Sequence, residues 1–192
     1  MCGRYYIEIS DAVLREICEE IKRSWQKKES DRQLEITFDG EVFPRNVAPV
    51  QTGPGLFEPM QWGFSGFSGT RPVINARSET ALEKTMFRHA MRESRCLIPA
   101  SGYFEWKKEG SRKIKHRLYV PGQPLFFAGC YRKEQDSDLA RFVILTRAAS
   151  AELAPIHERM PVIIPSNYAT AWLHESPDVM EKALTKLAFE AM

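Results

Sequence analysis

From Cys96 to Thr146 the chain alternates short β-rich runs with turns, and this pattern limits the fold more than anything else in the sequence. Leu97-Ile98-Pro99 and Gly102-Tyr103-Phe104-Glu105-Trp106 read as strands. Glu109-Gly110-Ser111 is a turn, after which Ile114 to Val120 folds back as a hairpin. Pro121-Gly122-Gln123-Pro124 turns the chain again, and Leu125–Tyr131 and Arg141–Thr146 are apolar strands separated by a charged loop over 132–140. Strands joined by tight turns pair antiparallel, because a parallel pair needs a long crossover.

The flanks supply further strands and a few helices. Tyr5 to Ile9 is a short strand, and Ser10 is placed to cap a helix whose inward face is Leu14, Ile17, Cys18, Ile21 and Trp25, running to about Lys28. Cys18 lies on that stripe as a small core residue. Glycines and prolines break residues 29 to 60 into short strands and loops. Thr80-Ala81-Leu82-Glu83 has the capping-box spacing, which predicts a helix from there to about Arg92. Pro161–Ile164 is another strand. Helices are expected at about 166–174 and 178–190, the last opened by Ser176-Pro177. With strands in the majority and helices at the ends, the class is α+β: antiparallel β-sheets or an open barrel flanked by helices, in a single domain over 1–192.

Composition excludes several classes. The 192 residues carry 27 basic and 25 acidic side chains, a net charge of +2 that admits only a local basic groove. No apolar run approaches the ~20 residues of a membrane span, and the start of the chain has no signal-peptide core. A cytoplasmic protein is expected, or a nuclear one in a compartmented cell. The four cysteines, Cys2, Cys18, Cys96 and Cys130, are far apart with no CxxC pair, so neither a disulfide framework nor a metal site is expected. No cofactor is implied.

The chemistry begins at Met1-Cys2-Gly3-Arg4. If Met1 is removed, Cys2 carries a free α-amine and a thiol on adjacent carbons, with ordinary pKa values of ~8 and ~8.5. Such a 1,2-aminothiol attacks acyl groups with its own amine as base. It also condenses with aldehydes to an imine that the thiol closes into a five-membered thiazolidine. Glu105 lies between Phe104 and Trp106, and a carboxyl buried there would be a candidate acid/base; strict alternation, pairing it with Tyr103, equally allows it to face solvent. His157, between a loop and a strand, titrates near neutrality. Asn75 can orient an amine or polarise a carbonyl, or simply end a strand. His89, His116 and His174 have no comparable setting and are read as surface residues. Phe67, in a Gly/Ser-rich loop, is either partly buried or a wedge on which a base could stack.

Together these pieces resemble the SRAP family of abasic-site processing proteins. The resemblance rests on Met1-Cys2-Gly3-Arg4, Asn46-Val47-Ala48-Pro49, Trp62-Gly63-Phe64, Ile74-Asn75-Ala76-Arg77-Ser78-Glu79-Thr80, Phe87-Arg88, Arg95–Ala100, Gly102-Tyr103-Phe104-Glu105-Trp106-Lys107 and Ile156-His157-Glu158-Arg159-Met160-Pro161, which extend in order to about residue 174. The C-terminal helix expected over 176–192 departs from the family pattern. The resemblance implies a protein that crosslinks to abasic sites in single-stranded DNA, or at a single/double-strand junction, through a thiazolidine on Cys2 after loss of Met1. It implies that Asn75 holds the amine and the opened sugar, that Glu105 is the general acid/base, and that His157 contacts the abasic nucleotide. By the same resemblance Arg4, Arg77 and Arg159 grip phosphates, Pro49 and Phe67 meet bases, Asn46 belongs to the DNA-binding set, and the protein acts as a monomer that removes its own Met1. Two other readings fit the residues: an N-terminal-nucleophile cysteine amidohydrolase or peptidase with Asn75 in its oxyanion hole, and a non-covalent single-stranded-DNA-binding module with an inert Cys2.

Overall fold

A computed structural model describes residues 2–26, 35–66, 71–135 and 137–192. The N-terminal strand β1 (Tyr5–Ile7) leads into helix α1 (Ala12–Gln26). Asp11 caps this helix, its Oδ1 accepting from the amides of Val13 and Leu14 at 2.9 and 3.1 Å. Ser10 was the sequence candidate for this role; Asp11, one residue on, sits directly before the first helical turn and takes it. Leu14, Ile17, Cys18 and Ile21 are buried, as their spacing predicts. The strands β2 (Gly40–Val42), β3 (Val47–Gly53) and β4 (Leu56–Trp62) follow, then β5 (Asn75–Arg77).

The predicted capping-box helix is two helices, α2 (Ser78–Ala81) and α3 (Thr85–Glu93), with Lys84 extended between them. The Thr80 hydroxyl is buried without a hydrogen-bond partner among the described residues, so the box does not form. The break turns Phe87, Ala90 and Met91 into an apolar layer, where Phe87 meets Phe64 at 6.1 Å between ring centres.

The hairpin region contains β6 (Arg95–Ala100), β7 (Gly102–Glu109), β8 (Arg112–Tyr119), β9 (Leu125–Arg132) and β10 (Arg141–Ala148). Then come β11 (Arg159–Pro161), α4 (Ala169–His174) and β12 (Ala188–Ala191). One sheet runs β12-β8-β7-β1-β2. The other runs β11-β10-β4-β3-β6-β9, and β9 also pairs with β10, so its strands close into a ring. The antiparallel expectation holds for most pairs, but β4 and β5 both pair with β10 in parallel. Tyr5 lies between the sheets, edge-on to Trp62 at 5.2 Å and Phe127 at 5.9 Å.

The C-terminal helix expected over 176–192 is absent. Ser176 caps a short 3-10 turn over Pro177–Lys182, and the chain then extends into β12, which pairs with β8 from Ala188↔Tyr119 to Ala191↔His116. Ala183 and Leu187 are buried, so their four-residue spacing mimics a helical stripe. The open edge of β8 offers a ladder of backbone partners that a helix could not satisfy. Covered in this way, His116 is 8% exposed, not a surface residue. All four cysteines are free and buried. No helix of the described residues is long and apolar enough to cross a membrane.

Candidate active site

The chain ahead of β1 runs along β7, fixed by the Phe104 amide donating to the Arg4 carbonyl at 2.9 Å. β1 itself pairs Tyr5↔Tyr103 and Tyr6↔Gly102. This close approach depends on Gly102: a Cβ there would lie 2.4 Å from the Leu118 carbonyl oxygen and 2.5 Å from the Tyr6 hydroxyl. Cys2 is thereby packed inside the molecule, 0% exposed. From the second sheet, Asn75 at the start of β5 donates its Nδ2 to the Cys2 carbonyl at 2.9 Å.

Glu105, left open between core and solvent by its alternation, is 4% exposed. Its carboxylate is close enough to Cys2 to act on the thiol. Burial, first, and the Glu105 charge, second, push the Cys2 thiol far above its usual range, against a smaller opposing pull from a hydrogen bond with the Arg4 backbone and from the N-terminal charge. The thiol is therefore neutral at physiological pH. Burial and the neighbouring Cys2 likewise raise the hydroxyls of Tyr5 and Tyr103, with Glu105 adding to the effect on Tyr103. The Tyr5 hydroxyl and Asn75 Oδ1 are buried with no hydrogen-bond partner among the described residues. Buried polar atoms are normally satisfied, so unsatisfied atoms on two residues that touch or sense Cys2 suit a site that receives a polar ligand. Sequence reasoning missed both tyrosines as site residues. Tyr103 was detectable, since alternation puts it on the face of Glu105.

The remaining predicted residues divide into three groups. Arg77 and Arg159 lie at one end of the second sheet, where β10 separates β5 from β11: Thr146 pairs with Arg77 on one side and Pro161 on the other, and Ala148 pairs with Arg159. Arg77 is exposed, and no ion pair engages it among the described residues. Arg159 is held by Glu79 in a two-pronged pair of 2.6 and 2.8 Å and donates to the Thr146 carbonyl at 2.6 Å. The hydrogen bonds from Arg159 draw the Glu79 carboxyl down to about 2. A phosphate reaching Arg159 must therefore displace a carboxylate. His157 is half-buried, its Nδ1 accepting from the Arg159 amide at 3.0 Å.

Arg4 lies beside Cys2 in sequence. It is stacked against Phe43 and Trp106, 4.4 and 5.0 Å from their ring centres, and paired with Glu41 at 2.9 Å. Asn46 closes a turn by accepting from the Phe43 amide at 2.8 Å. Pro49, expected to meet bases, is buried in β3 opposite Pro59, within a run from Val47 to Val50 that is buried on both faces. Phe67 lies outside the described residues. The structure thus brings Cys2, Asn75 and Glu105 together, sets Arg77 and Arg159 on the strands either side of β10 with His157 just ahead of β11, and buries Pro49 in β3.

A family model described as SOS response associated peptidase (SRAP) matches residues 1–192. Over 189 residues the chain is 33% identical to the abasic site processing protein YedK of Escherichia coli, covering 91% of this chain and 80% of that protein. It is 38% identical over 120 residues to the abasic site processing protein YoaM of Bacillus subtilis, 58% of this chain and about half, 53%, of that one. It is 26% identical to the abasic site processing protein HMCES of Gallus gallus, over 90% of this chain and 65% of that protein. Among solved structures, a protein from Bacteroides thetaiotaomicron superposes with a TM-score of 0.79 at 23% identity, covering 100% of this chain and 92% of that one. A protein from Bordetella bronchiseptica superposes with a TM-score of 0.77 at 20% identity, covering 100% and 99%. These last two likenesses establish the fold.

Proposed function

This chain belongs to the SOS response associated peptidase (SRAP) family, and we propose that it processes abasic sites by crosslinking to them through Cys2. The observation that carries the reading is the hydrogen bond from Asn75 to the Cys2 carbonyl, beside a buried Glu105. A carboxyl group, a thiol and an anchored main chain are what aminothiol condensation with an aldehyde needs in one place.

The substrate is a single DNA strand, or a single/double-strand junction, whose abasic sugar has opened to a C1′ aldehyde. Hydrolysis of the Met1–Cys2 peptide bond first frees the Cys2 amine; the same site supplies the groups for that cleavage. The amine nitrogen then attacks C1′. Glu105 carries the two protons of the nitrogen in turn to the departing oxygen, water leaves, and an imine remains. The thiol of Cys2 adds last: sulfur bonds to C1′, the C=N π pair becomes a lone pair on nitrogen, and Glu105 relays the thiol proton to that nitrogen. Ring closure removes the imine, and with it the routes to hydrolysis and strand cleavage. Asn75 keeps the main chain of Cys2 in reach of C1′ throughout. His157 assists at the sugar, while Arg4, Arg77 and Arg159 meet flanking phosphates, Arg159 by exchanging Glu79 for one of them. Asn46 and Phe67 lie along the strand, and the protein acts as a monomeric single domain.

The test uses Met1-free protein and a single-stranded oligonucleotide with one abasic site. A covalent band on a denaturing gel is expected, lost in Cys2→Ser. A complex visible only on a native gel would sink the crosslinking mechanism in favour of plain DNA binding.

A further inference from the structure

The β7–β8 hairpin runs out past the sheet that holds it. β1 pairs with β7 only at Gly102 and Tyr103, and β12 pairs with β8 only from Tyr119 to His116. The ladder between β7 and β8 goes further, from Gly102↔Tyr119 to Glu109↔Arg112. From Trp106 to Ile114 the two strands are therefore paired only with each other among the described residues. They form an arm, and Glu105 stands at its base.

The charge on this arm is one-sided. Its outer half carries Lys107, Lys108, Arg112 and Lys113 against Glu109, and Glu109 is taken by Lys107 at 2.6 Å. Lys108, Arg112 and Lys113 are exposed, and no ion pair engages them among the described residues. Lys108 and Lys113 are direct cross-strand partners, which puts their Cβ atoms about 5 Å apart on one face, an arrangement that is destabilising by itself. The two-residue turn between β7 and β8, with Gly110 at φ 62°, holds that register. The same face continues inward. Trp106, opposite Lys115, carries Arg4 over its ring at 5.0 Å, and Lys115 lies over Phe104 at 3.8 Å. There the cations are answered, because Glu41 pairs with Arg4 at 2.9 Å and with Lys115 at 2.6 Å. At Lys108 and Lys113 they are not.

We infer that the arm is a second DNA-binding surface, on which Lys108 and Lys113 straddle the phosphate backbone beyond the nucleotides at the Cys2 centre. Repulsion between two opposed lysines is relieved when an anion lies between them, and a nucleic-acid backbone supplies anions at regular intervals. The reach fits. Lys108 is about 10 Å along β7 from Glu105 and Gly110 about 17 Å, at a rise of ~3.4 Å per residue. Those lengths match about three and about five base-pair steps of a duplex. The choice of DNA as ligand rests on the function proposed above. The phosphates belong to the single strand or to the duplex arm of a junction.

The experiment compares the unaltered protein with Lys113→Glu and with the double variant Lys108→Gln, Lys113→Gln. Lesion-free single strands of about 6, 10 and 16 nucleotides, and the longest of them carrying a duplex arm, are bound under fluorescence anisotropy across a salt series. Both variants are expected to weaken binding of the longest strand or of the junction several-fold, Lys113→Glu the more. The slope of log affinity on log salt should fall by ~0.7 per phosphate lost from a single strand, or ~0.9 from a duplex. The shortest strand should lose nothing, which separates the arm from the Cys2 centre. The Tm of Lys113→Glu should hold or rise, because the opposed pair becomes attractive, so its weaker binding is not a folding defect. A loss confined to the junction assigns the arm to the duplex, and a loss on both long ligands assigns it to the single strand. Native affinity and salt slope for every DNA in both variants would overturn the arm. So would an equal loss at every length, or an unaltered protein that ignores lesion-free DNA and binds anionic phospholipid vesicles instead. If the variants lose DNA as expected but the unaltered protein forms no crosslink at an abasic site, the arm stands and the crosslinking reading falls.

Discussion

Glu79→Gln tests whether Arg159 is held in reserve by a carboxylate. The pair has two contacts, 2.6 and 2.8 Å, and brings the Glu79 carboxyl from an ordinary 4.5 to about 2. At ~1.36 kcal/mol per pH unit that difference has a ceiling of ~3.4 kcal/mol. The ceiling must be cut, because the Glu79 side chain is 49% exposed and solvent screening reduces exposed pairs to ~0.2–1 kcal/mol. Arg159 is only 13% exposed, and depriving a more buried ion of its partner costs more than an exposed pair is worth. The expected loss is therefore about 1–1.5 kcal/mol at pH 7, read by urea unfolding on tryptophan fluorescence, or ~3–5 °C in Tm. The sign with pH follows from the lowered carboxyl. Its contribution is complete above about 4.5 and is lost as pH falls toward about 2. The gap between native and variant protein should thus be flat above pH ~5 and close steadily below ~4.5. A gap under ~0.3 kcal/mol at pH 7, or one that persists unchanged to pH ~3, would refute the argument, since exposed pairs often contribute nothing measurable. The variant should also bind lesion-free single-stranded DNA more tightly, because a phosphate no longer displaces a carboxylate from Arg159.

Two further substitutions probe the Cys2 centre. Glu105→Gln should slow crosslinking by ~10²–10⁴-fold without weakening DNA binding, the usual range for a general acid/base; an unchanged rate under single-turnover conditions would remove Glu105 from the mechanism. Gly102→Ala should destabilise the protein by more than ~3 kcal/mol and lower the crosslink yield, because its methyl group would meet the Leu118 carbonyl oxygen of β8 at 2.4 Å and the Tyr6 hydroxyl of β1 at 2.5 Å, pushing both strands from β7; native-like unfolding would show that the strand yields more easily than the packing implies.

What could be read from the sequence was set by local rules, and what could not was set by distant partners. The strands from Arg95 to Ala148 were legible because turn residues punctuate them at short range. Cys2, Asn75 and Glu105 were legible as motif positions, but that they meet was not: the contact joins a segment before β1, the start of β5 and the middle of β7. The burial of Glu105 could not follow from alternation, since Gly102 to Glu105 are all buried between two sheets and the strand has no wet face there. His116 was read as exposed for a related reason, because its cover is β12, a segment whose Ala183–Leu187 spacing imitates a helix. Thr80 satisfied the capping-box pattern, yet packing of Phe87 and Met91 against the second sheet broke the helix in two. Pro49 was assigned to bases by resemblance, and its burial could not be read from alternation because Val47 to Val50 are buried on both faces of β3. Tyr5 carries no motif and only the register of β1 on β7 reveals it, whereas Tyr103 was within reach of alternation, on the face of Glu105.

The layout of β10 has a consequence for how such a protein can diversify. Its first half pairs with the end of β4 and its second half with β5, so Trp62 aligns with Phe142 and Asn75 with Ile144, two positions further along. Twelve intervening residues, 63 to 74, therefore form an excursion that begins and ends on one strand edge. Residues can be added to or removed from that excursion without shifting the register of Asn75, and so without moving Cys2. The catalytic geometry and the surface that greets the rest of the ligand are separable by insertion and deletion. Grafting segments of different length between Gly66 and Arg71, beyond the Phe64–Val73 pair, becomes a way to change what the protein reads around the reacting sugar while leaving the bond-forming groups in place.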